Sequence, residues 1–209
     1  MQLIGMLDSP YVRRVAISLA TLRLPFEHKA VSVFSTFEQF RAINPLVKAP
    51  SLICDDGEVL MDSSLILEYA EAMVRPENSL LPSDMAAKQH ALRFIGLALA
   101  GCEKSVQTIY ERNLRPPEKQ HQPWLDRVLG QLLAAYSSLE AELAKTPLSA
   151  GASQAAITVA VAWQFSNMML PEIAVAARFP LLHQFSLESE QLPTFSAYPP
   201  IGPGVQVNN

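Results

Sequence analysis

The apolar positions in the first third of the chain alternate between strand-like and helix-like segments. Four short apolar or alternating runs predict β-strands, at residues 2–7, 26–33, 51–54 and 58–61. Helical spacing and start signals predict three helices among them, over residues 10–22, 36–43 and 63–73. The predicted order is β-α-β-α-β-β-α, in which the first two strands are parallel neighbours because a helix separates them.

The pattern changes after a polar, proline-containing segment at residues 76–85, which is interpreted as a linker. Two long 3-4 repeats, at residues 92–109 and 125–143, then predict two helices that pack antiparallel within the chain. A coiled coil between two chains is the less favoured alternative. A further helix starting at Ser153 is apolar on nearly every side and is expected to be the buried central helix.

The predicted organisation is therefore an α/β domain over residues 1–75, the linker 76–85 and an all-helical domain over 86–209. Residues 180–191 are expected to form one more helix of this second domain. Residues 192–209 hold several prolines and glycines and are predicted to be an irregular tail.

Composition adds limits on partners. With 209 residues, 49% hydrophobic and 17% charged, the chain is expected to bury a sizeable core. The net charge is −4 and no basic run interleaved with aromatic residues occurs, which argues against nucleic acid and anionic membranes as partners. No apolar stretch approaches the roughly 18–20 residues that a bilayer span needs.

The thiols and imidazoles suggest no metal or redox centre. Cys54 and Cys102 lack C-x-x-C spacing and lie on apolar segments, so both are interpreted as buried small hydrophobes. The four histidines have no ligand or triad spacing, and no metal is expected. Ser9-Pro10 follows the first strand too soon for a signal peptide, and a reducing cytoplasm is the simplest expected location.

Candidate chemistry centres on the stretch from Asn44 to Leu52, where Pro45 and Pro50 flank Lys48 directly before a strand. An X-Pro bond in this position is a plausible cis peptide. A cis Ala49–Pro50 bond would leave the backbone of Ala49 open to pair with an extended peptide. Taken alone, however, the stretch favours an ordinary turn from loop to strand.

Two helix start signals accompany this stretch. Ser9-Pro10 combines a preferred N-cap residue with proline at the first helical position, and Asp62-Ser63 opens a later helix in a similar way. Helix N-termini attract anions such as carboxylates. Arg13 and Arg14 fall in the first turn, where the helix dipole disfavours cations. Either both arginines are solvated, or one pairs with a carboxylate elsewhere.

The element order, with proline before the third strand, is that of the thioredoxin fold, and the helical second half makes the whole chain resemble a cytosolic glutathione transferase. Four segments, in order across both domains, resemble that family's motifs, and serine at the first-helix start is typical of its small bacterial members. They are Ser9-Pro10-Tyr11-Val12-Arg13-Arg14-Val15, Asn44-Pro45-Leu46-Val47-Lys48-Ala49-Pro50-Ser51-Leu52, Leu60-Met61-Asp62-Ser63-Ser64-Leu65-Ile66-Leu67-Glu68-Tyr69 and Ser153-Gln154-Ala155-Ala156-Ile157. The resemblance implies a thioredoxin-like N-terminal domain followed by an all-α bundle.

The resemblance also implies a function and a site. Glutathione is the expected cosubstrate, held by Lys48, by Ala49 before cis-Pro50, and by Asp62 and Ser63. Ser9 is the expected catalytic residue, whose hydroxyl would stabilise the glutathione thiolate at the positive end of a helix. The expected reaction is transfer of glutathione to a small hydrophobic electrophile, typical of detoxification.

The electrophile is expected in an apolar cleft between the domains. Its lining residues are expected to be Leu7, Tyr11, Phe34, Glu103, Val106, Gln107 and Tyr110. A homodimer is implied as well, with Met73 and the helix from Ala86 at the interface.

Two departures and two alternatives qualify this picture. Val47 stands where the family usually has glycine, which puts the loop backbone and the reach of Lys48 in doubt. Ala156 stands where the family has an aspartate that completes a helix cap.

The alternatives are a glutathione-dependent isomerase or dehalogenase, and a non-catalytic module that docks on a protein partner. Four retained residues argue against the docking module, and they are Ser9, Lys48, Asp62 and Ser63.

Overall fold

The four predicted strands form one sheet in the computed structural model, which describes residues 1–205. The strands are β1 Gln2–Ile4, β2 Glu27–Lys29, β3 Ser51–Ile53 and β4 Val59–Met61. Their spatial order is β2-β1-β3-β4, with β1 parallel to β2 and antiparallel to β3, and β3 antiparallel to β4. Leu3 pairs with Leu52 in register, and both side chains are fully buried at the centre of the sheet.

Three helices complete the predicted β-α-β-α-β-β-α order: α1 Pro10–Thr21, α2 Phe37–Ile43 and α3 Ser63–Ala72. The parallel pairing of β1 and β2 across α1 is confirmed. The β3–β4 hairpin turns at Asp55-Asp56-Gly57, where Gly57 adopts a φ of +91° that a side chain would disfavour. The thioredoxin-like fold predicted for this part of the chain is therefore confirmed.

Within the described residues, up to position 205, only helices follow, as predicted: α4 Met85–Leu114, α5 Gln122–Lys145, α6 Gln154–Met169 and α7 Pro180–Glu190. Short 3-10 turns occupy Pro76–Asn78, Pro117–Lys119 and Ala176–Arg178. Helix α4 packs against α5 and α6, and α6 packs against α7. Helix α6 is buried on nearly every side, and the Ser153 hydroxyl caps it by accepting from the Ala156 N–H at 3.1 Å.

The chain divides into two units, and this division corrects the predicted C-terminal boundary. Unit 1 comprises Met1–Leu81 and the described residues from Pro193 onward, whereas unit 2 comprises Pro82–Leu192. The predicted helical domain, 86–209, therefore loses its last segment to the α/β unit. A short helix, α8 Pro193–Ser196, packs against α1 and buries the ring of Phe195 completely. Residues 206–209 of the predicted tail lie outside the described residues.

A buried arginine in α1 explains why the chain returns to unit 1 after α7. Arg13 is fully buried, and its guanidinium donates to the carbonyl oxygens of Tyr198 at 2.8 Å and Phe195 at 3.5 Å. The same guanidinium lies 5.7 Å from the centre of the Phe195 ring. A buried guanidinium needs hydrogen-bond acceptors, and the carbonyl groups of the C-terminal segment supply them. The possibility that both arginines of the first turn are solvated is therefore wrong, since Arg14 is buried as well.

Candidate functional site

Ser9 begins α1 as its sequence predicts. Its backbone is extended, Pro10 occupies the first helical turn, and the Ser9 Oγ accepts from the Val12 N–H. That capping bond is 3.5 Å long, beyond the usual range for an N–H···O bond. A hydroxyl that accepts one bond keeps its own O–H to donate. Ser9 can therefore donate to a ligand that binds at the N-terminus of α1.

Hydrogen bonds of two buried side chains hold the loop from Asn44 to Ser51. The buried Asn44 amide donates to Ser51 Oγ at 2.9 Å and accepts from the Leu46 N–H at 3.0 Å. Ser51 Oγ in turn donates to the Lys48 carbonyl at 2.8 Å. These bonds fix the loop through the buried Asn44 and Ser51 side chains.

The Ala49–Pro50 peptide bond is cis, as predicted. Within residues 1–205, the backbone N–H and C=O of Ala49 make no hydrogen bond to the rest of the chain. An open backbone N–H and C=O are the groups with which an extended peptide can pair in the manner of an added strand. The backbone of Ala49 therefore has the open donor and acceptor that the sequence led us to expect.

Gly5 brings this loop against α1, a contact that the sequence did not indicate. It follows β1 with a φ of +140°, and a Cβ added to it would lie 2.5 Å from a Val12 methyl and 3.3 Å from the Ala49 Cβ. Only glycine fits so close an approach. The first turn of α1, which Ser9 caps, and the cis-proline loop are therefore neighbours.

Val47 occupies a left-handed backbone conformation with a φ of +48°. This conformation favours glycine, and it is a genuine outlier for a β-branched residue. The valine side chain packs against the buried cluster of Ile4, Val31 and Phe40, which holds it in place. The loop thus keeps a glycine-type backbone despite the valine.

Asp62 caps α3 with a positive φ of 70°, and its Oδ1 accepts from the Ser64 N–H at 2.9 Å. Its other oxygen lies 3.3 Å from the Lys48 ammonium. Partial burial acts to raise the pKa of the Asp62 carboxyl, but the Ser64 hydrogen bond and the Lys48 ammonium outweigh it and lower the pKa. Asp62 therefore carries a negative charge beside a positive one at neutral pH.

Arg14 connects the starts of the two helices. Its buried guanidinium donates to Ser63 Oγ at 3.0 Å and to Ser64 Oγ at 3.3 Å. Because Ser63 Oγ accepts this bond, its own proton remains available for a ligand. The arginine also adds positive charge beside the N-terminus of α3, which favours a carboxylate there. The sequence indicated the charge but not its contact with Ser63.

The predicted electrophile-site residues fall into two groups. Leu7, Tyr11 and Phe34 are half-buried in unit 1. The residues in unit 2 recur at intervals of three and four on one face of α4, and they are Glu103, Val106, Gln107 and Tyr110. On that face, Glu103 Oε1 accepts from the Gln107 amide at 2.9 Å. The pocket that would join the two groups stays a prediction.

The remaining candidate chemistry is limited. Burial raises the pKa of the Cys54 thiol, and a hydrogen bond with Tyr69 offsets part of that effect. A thiol with a raised pKa is a poor nucleophile, in agreement with its interpretation as a small hydrophobe. Among residues 1–205, no cluster of three or more His, Cys, Asp or Glu side chains is arranged to hold a metal ion. No helix in that range has both the length and the hydropathy of a bilayer span.

Comparison with known proteins identifies the family. Residues 3–77 match the family model of the glutathione S-transferase N-terminal domain, and residues 122–186 match that of the C-terminal domain. A glutathione transferase family member from Pseudomonas fluorescens Pf-5, solved with bound S-(propanoic acid)-glutathione, is 31% identical to the chain, with a TM-score of 0.79. The alignment covers 95% of this chain and 98% of that one. The chain belongs to the cytosolic glutathione transferase superfamily.

Two further relatives help to place this superfamily member. The structure of a glutathione S-transferase from Methylobacterium radiotolerans, in complex with glutathione sulfonate, is 27% identical and has a TM-score of 0.89. That alignment covers 100% of this chain and 98% of the other. Maleylacetoacetate isomerase from Pseudomonas aeruginosa is 32% identical over 139 residues, which are 60% of this chain and 63% of the isomerase.

Proposed function

We propose that the protein is a glutathione transferase, which binds glutathione as a thiolate and transfers it to a hydrophobic electrophile. The observation that carries this proposal is the open backbone of Ala49. It lies against the first turn of the helix that Ser9 caps, in the same loop as Lys48, which pairs with Asp62 at the start of α3. Such a site offers an open backbone donor and acceptor, a cation, an anion and a hydroxyl to a charged peptide. The two relatives solved with bound glutathione derivatives, S-(propanoic acid)-glutathione and glutathione sulfonate, support the same ligand class.

Each part of glutathione has a proposed partner. The cysteinyl backbone pairs with the N–H and C=O of Ala49, next to cis-Pro50. The γ-glutamyl carboxylate accepts from the Ser63 hydroxyl and the N-terminus of α3, while Asp62 accepts from the α-ammonium. Lys48 pairs with the glycyl carboxylate. The tripeptide thus meets complementary groups at both ends.

Binding would exchange one ion pair for two. In the free protein Lys48 and Asp62 neutralise each other at 3.3 Å, with side chains 53% and 44% exposed. An ion pair this exposed contributes at most about 1 kcal/mol, so separating it costs little. Both side chains are therefore available to the two ends of the ligand.

Ser9 stabilises the nucleophile, which belongs to glutathione. A free thiol has a pKa of about 8.5. Lowering it by about two units requires roughly 2.7 kcal/mol. A hydrogen bond to a charged acceptor supplies about 1.5–3 kcal/mol, and a helix N-terminus adds about 0.3–1 kcal/mol. The thiol proton passes to solvent, sulfur bonds to the electrophilic carbon, and the leaving group departs with its electron pair.

The electrophile is proposed to meet the sulfur near Leu7, Tyr11 and Phe34 of unit 1. The location is proposed to be the cytoplasm, because chemistry that depends on reduced glutathione needs a reducing compartment.

A homodimer is proposed on the strength of an exposed apolar stripe on α3. Leu65, Tyr69 and Met73 recur every fourth residue, and Leu65 and Met73 are 59% and 44% exposed. Such a stripe on a helix marks a surface that associates. On α4, Met85 and Leu92 are likewise exposed, close to the predicted interface helix start at Ala86.

The test is retention of the purified protein on immobilised glutathione, followed by ultraviolet titration of the bound thiolate. Wild type is expected to be retained, eluted by free glutathione, and to ionise the thiol below its free pKa. Lys48→Ala is expected to weaken retention through the glycyl carboxylate. A protein that shows no affinity for glutathione would overturn the transferase proposal and favour the docking module.

Glutathione-dependent isomerisation is the second candidate, favoured by the 32% identity to the Pseudomonas aeruginosa maleylacetoacetate isomerase. The two reactions differ in their balance of glutathione. A transferase consumes one glutathione per turnover, whereas an isomerase adds and then releases it. Incubation with a conjugated cis-enone diacid, with free thiol counted before and after, distinguishes them: unchanged thiol with a changed double-bond geometry supports the isomerase.

A further inference from the structure

Val47 anchors the exposed part of the Asn44–Ser51 loop to the core of unit 1. Its neighbours Leu46 and Lys48 are exposed, whereas Val47 itself is half-buried. The valine side chain packs against a cluster of fully or almost fully buried residues, which are Ile4, Val31 and Phe40. Between residues 45 and 48, Val47 is therefore the position that holds the loop to the fold through an apolar side chain.

The backbone at Val47 sets the direction in which the loop leaves the turn at Asn44. The Val47 N–H donates to the Asn44 carbonyl at 2.9 Å, and the chain then turns through the left-handed φ of +48° at Val47. Lys48 and Ala49 follow directly, and Ala49 is within about 8 Å because successive Cα atoms lie about 3.8 Å apart. The conformation of Val47 therefore determines where the Lys48 ammonium and the open backbone of Ala49 are presented.

This left-handed conformation is one that glycine would adopt without strain. A β-branched residue at positive φ is a rare outlier, and such strain persists where surrounding contacts enforce it, often at ligand sites. Glycine populates other conformations about as readily, however, and has no side chain to pack against the cluster. The valine thus selects one conformation of the loop. In that conformation the N–H and C=O of Ala49 have no hydrogen-bond partner within residues 1–205 and are open to a ligand.

We propose that Val47 is a positioning residue that pre-organises the loop for the cysteinyl part of glutathione. It holds Lys48 and Ala49 in the binding conformation before the ligand arrives, without touching the ligand itself. This inference rests on the proposed transferase function. A loop that is already ordered loses less conformational freedom on binding, so the ligand binds more tightly. Replacing the anchor should therefore weaken glutathione binding more than it weakens the fold.

The first test compares glutathione binding by wild type, Val47→Gly and Val47→Ile in titration calorimetry. Fixing the backbone of one residue changes an equilibrium constant by about 5- to 30-fold, so the Kd of Val47→Gly should rise by about fivefold or more. Val47→Ile keeps both the β-branch and the apolar anchor and should stay within about twofold of wild type. In steady-state kinetics, the KM for glutathione should rise in Val47→Gly while kcat stays near wild type, since Ser9 is unchanged.

Two further variants separate anchoring from backbone strain and from general stability. Val47→Asn accepts the left-handed backbone but cannot pack against the apolar cluster, so it should weaken binding as Val47→Gly does. Val33→Ala removes apolar contact from the same cluster at a position outside the loop. It should leave the Kd for glutathione near the wild-type value.

Hydrogen exchange measures the order of the loop directly. The N–H of Leu46 donates to the Asn44 side-chain oxygen at 3.0 Å, and the N–H of Val47 donates to the Asn44 carbonyl at 2.9 Å. Exchange at both amides should accelerate in Val47→Gly, because the glycine leaves the loop free to open locally. Exchange at Leu3 and Leu52 in the sheet should stay near wild type. Saturating glutathione should restore protection of the loop amides in the variant.

The outcomes distinguish this inference from the proposed function. A wild type that does not bind glutathione overturns the transferase proposal and the positioning role with it. If wild type binds glutathione and Val47→Gly binds it as tightly, the transferase proposal stands and the positioning role is wrong. Equal weakening in Val47→Gly and Val33→Ala also overturns that role, because Val47 would then act only through the stability of the cluster. Weaker binding confined to Val47→Gly and Val47→Asn, with Val47→Ile near wild type, supports it.

Discussion

Val47→Gly is expected to be more stable than Val47→Ala, although glycine has the smaller side chain. The left-handed backbone at this position costs a β-branched residue about 1–2 kcal/mol, and alanine pays a similar cost. Removing the half-buried valine side chain from the Ile4, Val31 and Phe40 cluster loses about 1 kcal/mol of apolar burial. Val47→Ala is therefore expected to destabilise unit 1 by about 1 kcal/mol.

Val47→Gly removes more atoms but relieves the backbone. It loses the same apolar burial, and the greater conformational freedom of glycine in the unfolded chain costs roughly a further 0.5–1 kcal/mol. Relief of the backbone strain offsets these losses by about 1–2 kcal/mol. The net change is close to zero. Val47→Gly is thus expected to be more stable than Val47→Ala by about 1 kcal/mol.

Hydrogen exchange of the β1 and β3 amides is the suitable assay. Both tryptophans, Trp124 and Trp163, lie in unit 2, so tryptophan fluorescence does not report on the sheet. A difference of 1 kcal/mol changes the exchange rate of globally protected amides about fivefold. Exchange at Leu3 and Leu52 should be faster in Val47→Ala than in Val47→Gly. Equal rates, or slower exchange in the alanine variant, would refute the strain argument.

Other predictions concern the ligand groups and the association surface. Arg14→Gln should raise the calorimetric Kd for glutathione at least tenfold, because a charge-assisted bond that orients Ser63 is worth about 1.5–3 kcal/mol; an unchanged Kd would contradict its positioning role. The pKa of Asp62 is lowered in the folded protein, so its stabilisation is complete above about pH 3.9 and is lost as the pH falls through the lowered value. In acid titrations Asp62→Asn should remove this loss, which stays within about 1 kcal/mol because the Lys48–Asp62 pair is exposed. Met73→Glu should shift a homodimer towards monomer in light scattering, and a monomeric wild type would remove the dimer proposal.

The features that the sequence predicted are those with local causes. The N-caps at Ser9 and Asp62 depend on side chains within three residues, and the β3–β4 hairpin depends on an Asp-Gly turn. The cis bond before Pro50 was likewise suggested by the proline beside a strand and by the family resemblance. Short-range chemistry of this kind can be recognised from residue spacing alone.

The features that were missed depend on distant partners. Arg14 reaches Ser63 across 49 positions, and Arg13 reaches Tyr198 across 185. Nothing in the first turn of α1 indicates which acceptors will bury these charges. Proline content suggested an irregular tail, but not that Phe195 would pack on unit 1. Such contacts arise only once the sheet and α1 are assembled.

The most direct test of the account is an ultraviolet pH titration of glutathione bound to Ser9 variants. Wild type is expected to hold the thiol with a pKa of about 6.5, roughly two units below the free value. Ser9→Gly and Ser9→Ala should both raise it towards about 8.5, although glycine preserves the helix cap better than alanine. Ser153→Ala, which removes the equivalent capping hydroxyl of α6, should leave the titration unchanged. A thiol that titrates identically in wild type and both Ser9 variants would contradict the central claim.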